Sequence, residues 1–234
     1  MRDSAWSAIV VAAGRGTRFG RPKQLVEVAG KPMLAWSLET LASIDDVRLL
    51  VVTTEPENVS AVEDLVATAA PHLDAQVIAG GEERQDSVRL GVERVVNLVG
   101  LTGSLLVHDG ARPMVRADDV RRGMAAVADG VGALLAVRVV DTIKETGDDG
   151  RVIRTHDRSR LWSAQTPQFA RTRDFARAHR EAARLGTRAT DDATLMELLG
   201  MPVVVVEGSE QNFKVTLPGD LERAELILRA RAAV

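Results

Sequence analysis

The sequence contains no cysteine, and this absence removes several kinds of chemistry at once. Disulfide bonds, a thiolate nucleophile and cysteine-ligated zinc are all excluded. There is also no apolar run of about 18 residues, the length that a membrane-spanning helix requires. The first residues lack the basic-then-apolar order of a signal peptide. We therefore expect a cytoplasmic protein that has no membrane partner.

An excess of charge of one sign is missing as well. The 234 residues carry 30 basic and 33 acidic side chains, a formal net charge of −3. Nucleic-acid and membrane-surface binders rely on a broad basic field, so we expect no nucleic acid as a partner. Any positively charged site must be local. Lysine is rare, and its four occurrences are Lys23, Lys31, Lys144 and Lys214.

Short apolar runs bounded by turn residues alternate with segments of helical periodicity. The runs predicted as strands are 7–11, 47–52, 76–79, 105–107, 133–140 and 203–206. Helices are predicted over 31–41, around 88–96 and over 118–128. This alternation predicts an α/β fold, a Rossmann-like and mostly parallel sheet with helices on both faces. We expect a single domain over 1–234, with ligands bound beyond the carboxyl ends of the strands.

Residues 139–156 interrupt the alternation. Two segments of alternating polar and apolar residues flank the turn Gly147-Asp148-Asp149-Gly150, which predicts a β-hairpin. A lone two-stranded hairpin is marginally stable in water. We therefore expect a protruding arm at about 138–160 that packs on a second copy of the chain and makes a homodimer.

The first predicted strand leads directly into the loop AAGRGTRFGRPKQ, residues 12–24. Gly14-x-Gly16 suggests the dinucleotide fingerprint, but the third glycine, Gly20, falls one position late. Lys23 is not followed by a hydroxyl residue, which rejects a P-loop. An NAD site tolerates little charge here, because backbone N–H groups cradle its pyrophosphate. The four cations crowded around the glycines instead indicate a triphosphate; they are Arg15, Arg18, Arg21 and Lys23.

Further motifs are spread along the chain, and several of them follow predicted strands. They are Gly80-Gly81-x-x-Arg84-x-Asp86-Ser87-Val88, His108-Asp109-Gly110-Ala111-Arg112-Pro113, Asp141-Thr142-Ile143-Lys144, Gln165-Thr166-Pro167-Gln168, Thr190-Asp191-Asp192-Ala193 and Phe213-Lys214-Val215-Thr216. With the glycine-rich loop, this ordered set resembles the 2-C-methyl-D-erythritol 4-phosphate cytidylyltransferases over essentially the whole chain. The glycine loop alone is shared by many sugar nucleotidyltransferases, whereas the ordered set is far more specific.

The resemblance implies an activity and a division of roles. The reaction joins CTP and 2-C-methyl-D-erythritol 4-phosphate to 4-diphosphocytidyl-2-C-methyl-D-erythritol, releasing pyrophosphate, by in-line attack on the α-phosphate in non-mevalonate isoprenoid biosynthesis. The implied catalytic residues are Arg18, Lys23 and Lys214, and the implied CTP-binding residues are Ala12, Ala13, Gly14, Gly81 and Ser87. The implied polyol-phosphate ligands are Arg112, Thr142, Arg158, Thr166 and Thr190, and Asp109 is the implied Mg²⁺ ligand. The arm would carry Thr142 and Arg158 into the neighbouring subunit's site.

The residues agree with such a reaction without a general base. A phosphate monoester has its second pKa near about 6, so at neutral pH it is already largely ionised and needs positioning. Fixed cations then stabilise the charge that builds on the phosphates. Other interpretations remain for single residues: Asp109 before Gly110 suits a turn, and Thr190 before two aspartates suits a helix cap. His108 shows no metal spacing with the other histidines and is interpreted as structural.

Three other functions stay open at this point. A cytidylyltransferase for another polyol phosphate, such as D-ribitol 5-phosphate, shares most of these motifs. A non-catalytic nucleotide-binding protein is the second alternative, although such a module has little use for charges that favour a transition state. An NAD-dependent oxidoreductase is weaker still, because of the misplaced glycine.

Overall fold

The computed structural model describes residues 5–14 and 22–232 of the chain. Its strands are β1 (Trp6–Val11), β2 (Glu27–Val28), β3 (Lys31–Pro32), β4 (Val47–Thr54), β5 (Asp74–Ala79), β6 (Ser104–Asp109), β7 (Gly132–Arg138), β8 (Lys144–Thr146), β9 (Val152–Thr155), β10 (Trp162–Arg171) and β11 (Val203–Glu207). Its α-helices are α1 (Met33–Ala42), α2 (Val59–Ala69), α3 (Arg84–Val99), α4 (Ala117–Ala125), α5 (Thr172–Leu185), α6 (Asp192–Leu198) and α7 (Pro218–Ala232).

Seven of these strands form the central sheet, in the order β11-β7-β10-β6-β1-β4-β5. Neighbouring strands pair in parallel except at β10, which runs antiparallel to both β6 and β7. The middle of the sheet is in simple register, with Ile9 opposite Val51 on one side and Val107 on the other. The prediction of a mostly parallel α/β sheet is confirmed. The antiparallel β10 brings its first residues to the edge where the parallel strands end.

Helices cover both faces of the sheet, as the continuous apolar strands predict. Apolar residues of α1, α2 and α4 pack on the face that carries Val10, Leu50 and Leu106. Those of α3, α5 and α6 pack on the opposite face, which carries Ile9 and Val107. Burying each such side chain contributes about 1.5–3 kcal/mol, so the core fixes the strand ends firmly. Helix α7 closes a smaller third cluster around Met33, Met114 and Val215.

The arm is present as a small separate sheet. Strands β8 and β9 pair antiparallel with each other and with no other strand among the described residues. A backbone hydrogen bond of 3.1 Å from Val139 N–H to the Leu161 carbonyl closes the base of the arm. Its apolar side chains lie in solvent, with Val140 67% and Ile153 68% exposed. The predicted hairpin is confirmed, although its paired strands are shorter than the sequence pattern.

Helix α1 begins at Met33, two residues later than predicted. Lys31–Pro32 pairs instead with Glu27–Val28 to form the β2–β3 hairpin. Pro32 occupies the N-cap position, which its fixed φ and missing N–H allow. The segment that carries Lys23 is thereby held against the start of α1 by a hydrogen bond of 2.8 Å from Met33 N–H to the Val26 carbonyl.

Candidate active site

A cleft of about 240 Å³ opens at the carboxyl edge of the sheet. Strand β6 ends there, β10 begins there, and the segment that follows β11 crosses it. Its lining residues are Arg84, Asp109, Arg112, Ala164, Gln165, Thr166, Gln168, Thr190, Asp191 and Lys214. Five of the predicted site residues therefore lie around one cleft; they are Asp109, Arg112, Thr166, Thr190 and Lys214.

Asp109 lies at the centre of this cleft, at the last position of β6. Its two carboxylate oxygens have separate cationic partners: Oδ1 accepts from Arg84 Nε at 2.8 Å and Oδ2 accepts from Lys214 Nζ at 2.9 Å. Burial by itself would raise the pKa of Asp109, but Arg84 and Lys214 outweigh it and hold that pKa well below its usual range. Asp109 is therefore a fixed negative charge at physiological pH.

Arg84, in the first turn of α3, connects two buried carboxylates. Its Nη2 donates to Asp192 Oδ2 at 2.9 Å while its Nε donates to Asp109. Burial would lower the pKa of Arg84, but Asp192 and Asp109 raise it above its ordinary value. Asp192 also accepts a hydrogen bond of 3.1 Å from His179 Nε2. Motif residues 84 and 192 thus meet although they lie far apart in the sequence.

Thr166 and His108 form a hydrogen-bonded unit beneath the cleft. Thr166 Oγ1 accepts from the Asp109 N–H at 2.9 Å and lies 3.1 Å from His108 Nδ1. Nε2 of His108 faces the Arg112 carbonyl at 3.3 Å, so it carries the proton and the Thr166 hydroxyl donates to Nδ1. Burial lowers the pKa of His108 to about 4. The interpretation of His108 as structural agrees with this neutral, fully buried ring.

Arg112 lies on the other side of Asp109, at the turn that follows β6. Its Nη1 donates to the Asn212 carbonyl at 2.7 Å, while its buried Nε has no partner among the described atoms. Burial lowers the pKa of Arg112 from its ordinary value, and an arginine remains charged nonetheless. The Asn212 side chain donates in turn to the Thr166 carbonyl at 2.9 Å. The cleft therefore presents a third positive charge that is held in place by neutral groups.

Lys23 and Lys214 belong to neighbouring segments. Lys23 Nζ donates to the Val215 carbonyl at 2.7 Å, so its ammonium lies beside the residue that follows Lys214. Val215 N–H donates in turn to the Ala111 carbonyl at 2.8 Å. Three of the sequence motifs are thus tied together through the backbone of Val215. The other three cations predicted in the glycine-rich loop lie outside the described residues; they are Arg15, Arg18 and Arg21.

The loops after β1 and β5 touch each other directly. A Cβ atom built on Gly80 would lie 2.4 Å from the Ala13 Cβ and 2.7 Å from Ser87 Oγ, so only glycine fits this contact. Ser87 is fully buried; its Oγ accepts from Gly81 N–H at 3.1 Å and donates to the Glu83 carbonyl. Its hydroxyl therefore ties the two-glycine loop to the start of α3.

Two predicted substrate residues lie away from this cleft, whereas a third, Thr190, lies in it beside the N-cap of α6. Thr142 and Arg158 are exposed on the arm and do not line the cleft of their own chain. Thr190 lines it, whereas the N-cap of α6 is Asp191, whose Oδ1 accepts from Thr194 N–H at 2.9 Å. The alternative interpretation of Thr190 as the helix cap is therefore wrong.

Sequence reasoning assigned no role to Arg84, Asp192 or Gln168, which all help to build the cleft. Gln168 bonds the Asp191 carboxylate and the Ala193 N–H, so it fixes the start of α6. All three stand inside the motifs quoted from the sequence. Their place in those motifs was the available signal, but the partner of each lies in another motif, which sequence spacing does not show.

The described residues contain no group of three or more histidine, aspartate or glutamate side chains arranged to hold a metal ion. Asp109 stands as one ionised carboxylate at the cleft. Such a donor suits Mg²⁺, which binds through one or two carboxylates, waters and the phosphates of a substrate. Over the same ranges, no helix has the length and apolar character needed to cross a bilayer.

Comparison with known proteins adds a family to this geometry. The family model described as IspD: 2-C-methyl-D-erythritol 4-phosphate cytidylyltransferase matches residues 6–230. A protein of that name from Pelotomaculum thermopropionicum is 42% identical over 229 residues, which cover 96% of this chain and 94% of the relative. A bifunctional enzyme IspD/IspF from Rhodospirillum rubrum is 44% identical over 227 residues, 95% of this chain but 57% of that relative.

A solved structure shows the same architecture. The crystal structure of 2-C-methyl-D-erythritol 4-phosphate cytidylyltransferase from Thermus thermophilus matches with a TM-score of 0.76 and 33% sequence identity. The match covers 95% of this chain and 98% of that one.

Proposed function

We propose that the chain, which belongs to the 2-C-methyl-D-erythritol 4-phosphate cytidylyltransferase family and is a nucleotidyltransferase, transfers the cytidylyl group of CTP to 2-C-methyl-D-erythritol 4-phosphate. The phosphate oxygen of the polyol attacks the α-phosphorus in line, the bond to the β-phosphate bridging oxygen breaks, and pyrophosphate leaves. The cleft lies at the carboxyl edge of the sheet, which is where open α/β folds bind their ligands.

The observation that carries this proposal is the charge arrangement around Asp109. Arg84, Arg112 and Lys214 line the same cleft, and Lys23 lies beside it. Negative charge develops on the phosphates and on departing pyrophosphate, and positioned cations stabilise it without reorganisation. The attacking phosphate is already ionised, so a base is unnecessary. His108, the buried histidine beneath the cleft, is committed to Thr166 and Arg112.

We propose that Asp109 would hold Mg²⁺ together with the phosphates of a bound CTP. A bound Mg²⁺ supplies Lewis-acid polarisation of the phosphate and offsets its charge. Arg84 and Lys214 pair with the Asp109 carboxylate, so their positive groups would also meet the phosphate oxygens of a substrate bound there. Thr166 has its proton committed to His108, so it can only accept from a hydroxyl of the polyol.

We also propose that the arm completes the site of a second copy. Thr142 and Arg158 are solvent-exposed in a single chain, and the apolar side chains near them have no cover. In a homodimer that buries the arm, both residues would reach the polyol phosphate bound in the partner's cleft. The hairpin would also gain the packing that a lone two-stranded sheet lacks. One domain over the whole chain would then contribute residues to two sites.

Pyrophosphate release is the assay. It should require CTP, Mg²⁺ and 2-C-methyl-D-erythritol 4-phosphate, and Lys214→Met should lower kcat/KM by about 10²–10³-fold, the cost of removing one transition-state donor. Arg121→Met is the control, because it removes a positive charge from an exposed pair with Asp118. Faster turnover with D-ribitol 5-phosphate would reassign the substrate. If the protein binds CTP but releases no pyrophosphate with any polyol phosphate tested, the proposed catalysis is refuted.

A further inference from the structure

His179 lies behind the active-site cleft, in the middle of α5. Its side chain is 2% exposed and belongs to the layer of helices that covers one face of the sheet. Within the described residues its single polar contact is the hydrogen bond of 3.1 Å between its Nε2 and Asp192 Oδ1. Since Nε2 faces a carboxylate, this nitrogen carries the proton and donates it. The other ring nitrogen, Nδ1, is buried without a partner.

A continuous series of contacts leads from His179 to the cleft. Asp192 uses its second oxygen, Oδ2, to accept from Arg84 Nη2 at 2.9 Å, and Arg84 Nε reaches Asp109 at 2.8 Å. Asp192 itself is 1% exposed and does not line the cleft. The charges of Asp192, Arg84 and Asp109 alternate, so each of these three side chains holds the next in place. Arg84 is the member of the series that both lines the cleft and depends on His179 through one intermediate.

We propose that His179 is a positioning residue for cytidylyl transfer, acting through Asp192 to orient the guanidinium of Arg84. This inference rests on the proposed function of the cleft. Arg84 has two carboxylate anchors, Asp109 and Asp192. If Asp109 held Mg²⁺, Asp192 would be the anchor that remains, and the direction of Arg84 would then depend on how well Asp192 is held.

The hydrogen bond, and not the bulk of the ring, is what the proposal requires. His179 also packs on Phe175, with ring centroids 6.4 Å apart in a stacked arrangement. An apolar replacement can keep much of that packing, but it leaves Asp192 Oδ1 buried without its donor. A buried carboxylate that loses one partner will shift to find another. Because Asp192 holds Arg84 through its other oxygen, that shift turns the guanidinium in the cleft.

Substitutions at position 179 separate these two roles. His179→Leu removes the donor, His179→Gln places an amide N–H near the position of Nε2, and His179→Asn reaches only the position of Nδ1. We expect His179→Leu and His179→Asn to lower kcat/KM for CTP by about 10–100-fold, the usual effect of losing an outer support of a site. His179→Gln should stay within about threefold of the wild type. Phe175→Leu, the packing control, should lower Tm and leave kcat/KM unchanged.

A double-mutant cycle with Arg84→Met tests the route. If His179 acts by orienting Arg84, then His179→Leu should cost no further activity once Arg84 is absent. Independent losses that multiply in the double variant would overturn the proposal, as would equal kcat/KM values for the glutamine and asparagine variants. That second comparison decides the matter even if the leucine variant fails to fold. Loss of pyrophosphate release in Asp109→Asn tests the proposed function separately, because it does not involve position 179.

Discussion

Adding a single methyl group at Gly80 tests whether the contact between the loops after β1 and β5 shapes the nucleotide site. In the wild-type structure the backbone of Gly80 lies against Ala13, and its N–H donates to the Thr54 carbonyl at 2.7 Å. Gly80→Ala places a Cβ atom into this contact without changing charge or hydrogen-bonding groups. The perturbation is therefore purely steric.

The size of the effect follows from the distances. The new Cβ would lie 2.4 Å from the Ala13 Cβ, whereas ordinary contacts of this kind are 3.4–4 Å, so the two loops must separate by roughly 1 Å. Overpacking of this kind destabilises a protein by about 1–3 kcal/mol. A displacement of about 1 Å at a site of chemistry can lower the rate by about 10²-fold. We expect both effects in Gly80→Ala, the second mainly as a reduced kcat/KM for CTP.

The assay pairs urea unfolding with initial rates of pyrophosphate release. Gly219→Ala is the matched control, because a Cβ at Gly219 meets no atom within 4 Å and the residue lies in α7. That control should keep full activity and gain up to about 1 kcal/mol in stability from helix propensity. If Gly80→Ala binds and turns over CTP as the wild type does, then the approach of the two loops does not shape the nucleotide site and the argument is refuted.

Three further predictions concern pH and assembly. His108 is buried with its pKa lowered from 6.5 to about 4, so between these pH values the unfolded chain binds the extra proton and the folded state is destabilised. Its contribution to the free energy of unfolding should fall by about 3 kcal/mol as the pH is lowered through that window, and His108→Asn should lack this part of the dependence in denaturant titrations. For assembly, Ile153→Asp on the arm should shift sedimentation from dimer toward monomer, since the exposed isoleucine is a candidate for burial by a second copy. Mixing inactive Lys23→Ala and Arg158→Ala subunits should restore about a quarter of wild-type activity if each site draws on two chains, because half of the dimers then have one intact site of two; no recovery would argue for self-contained sites.

The sequence predicts the strands of the sheet well where they are continuously apolar. Strands β1, β4 and β6 appear near their predicted positions because burial on both faces leaves an unmistakable run of aliphatic residues. Strand β10 is different. It contains Gln165, Thr166, Pro167 and Gln168, a polar stretch with a proline that is typical of a loop. These polar side chains find their hydrogen-bond partners in other segments that line the cleft. No local sequence pattern shows those partners.

Helix α5 was not predicted either, although its sequence is amphipathic. Its buried face is built largely from small residues, among them Ala178 and Ala182, while arginines occupy its exposed face. The contrast between this apolar face and the arginine-rich face has a helical period, so the sequence did carry a signal for this helix. The proposed role of His179 could not be predicted from the sequence. It depends on an aspartate in the next helix and on the fold that brings the two side chains together.

The candidate site divides in the same way. Motifs placed Asp109, Arg112 and Lys214 at the carboxyl edge, since each follows or borders a predicted strand. The pairing of Arg84 with Asp109 and Asp192 could not be predicted, because its donors and acceptors come from three separate segments. Electrostatic partners of this kind are set by tertiary geometry, and sequence spacing carries no information about them.

The opposed direction of β10 also bears on how this architecture can diversify. Strand β7 ends and β10 begins at the same edge of the central sheet. The arm between them therefore leaves and rejoins the sheet at two adjacent points, which the backbone hydrogen bond between Val139 and Leu161 joins. Residues can be added, removed or exchanged beyond that junction without shifting the register of either flanking strand. The length of the arm and the partner surface that it recognises can therefore change while the central sheet stays intact.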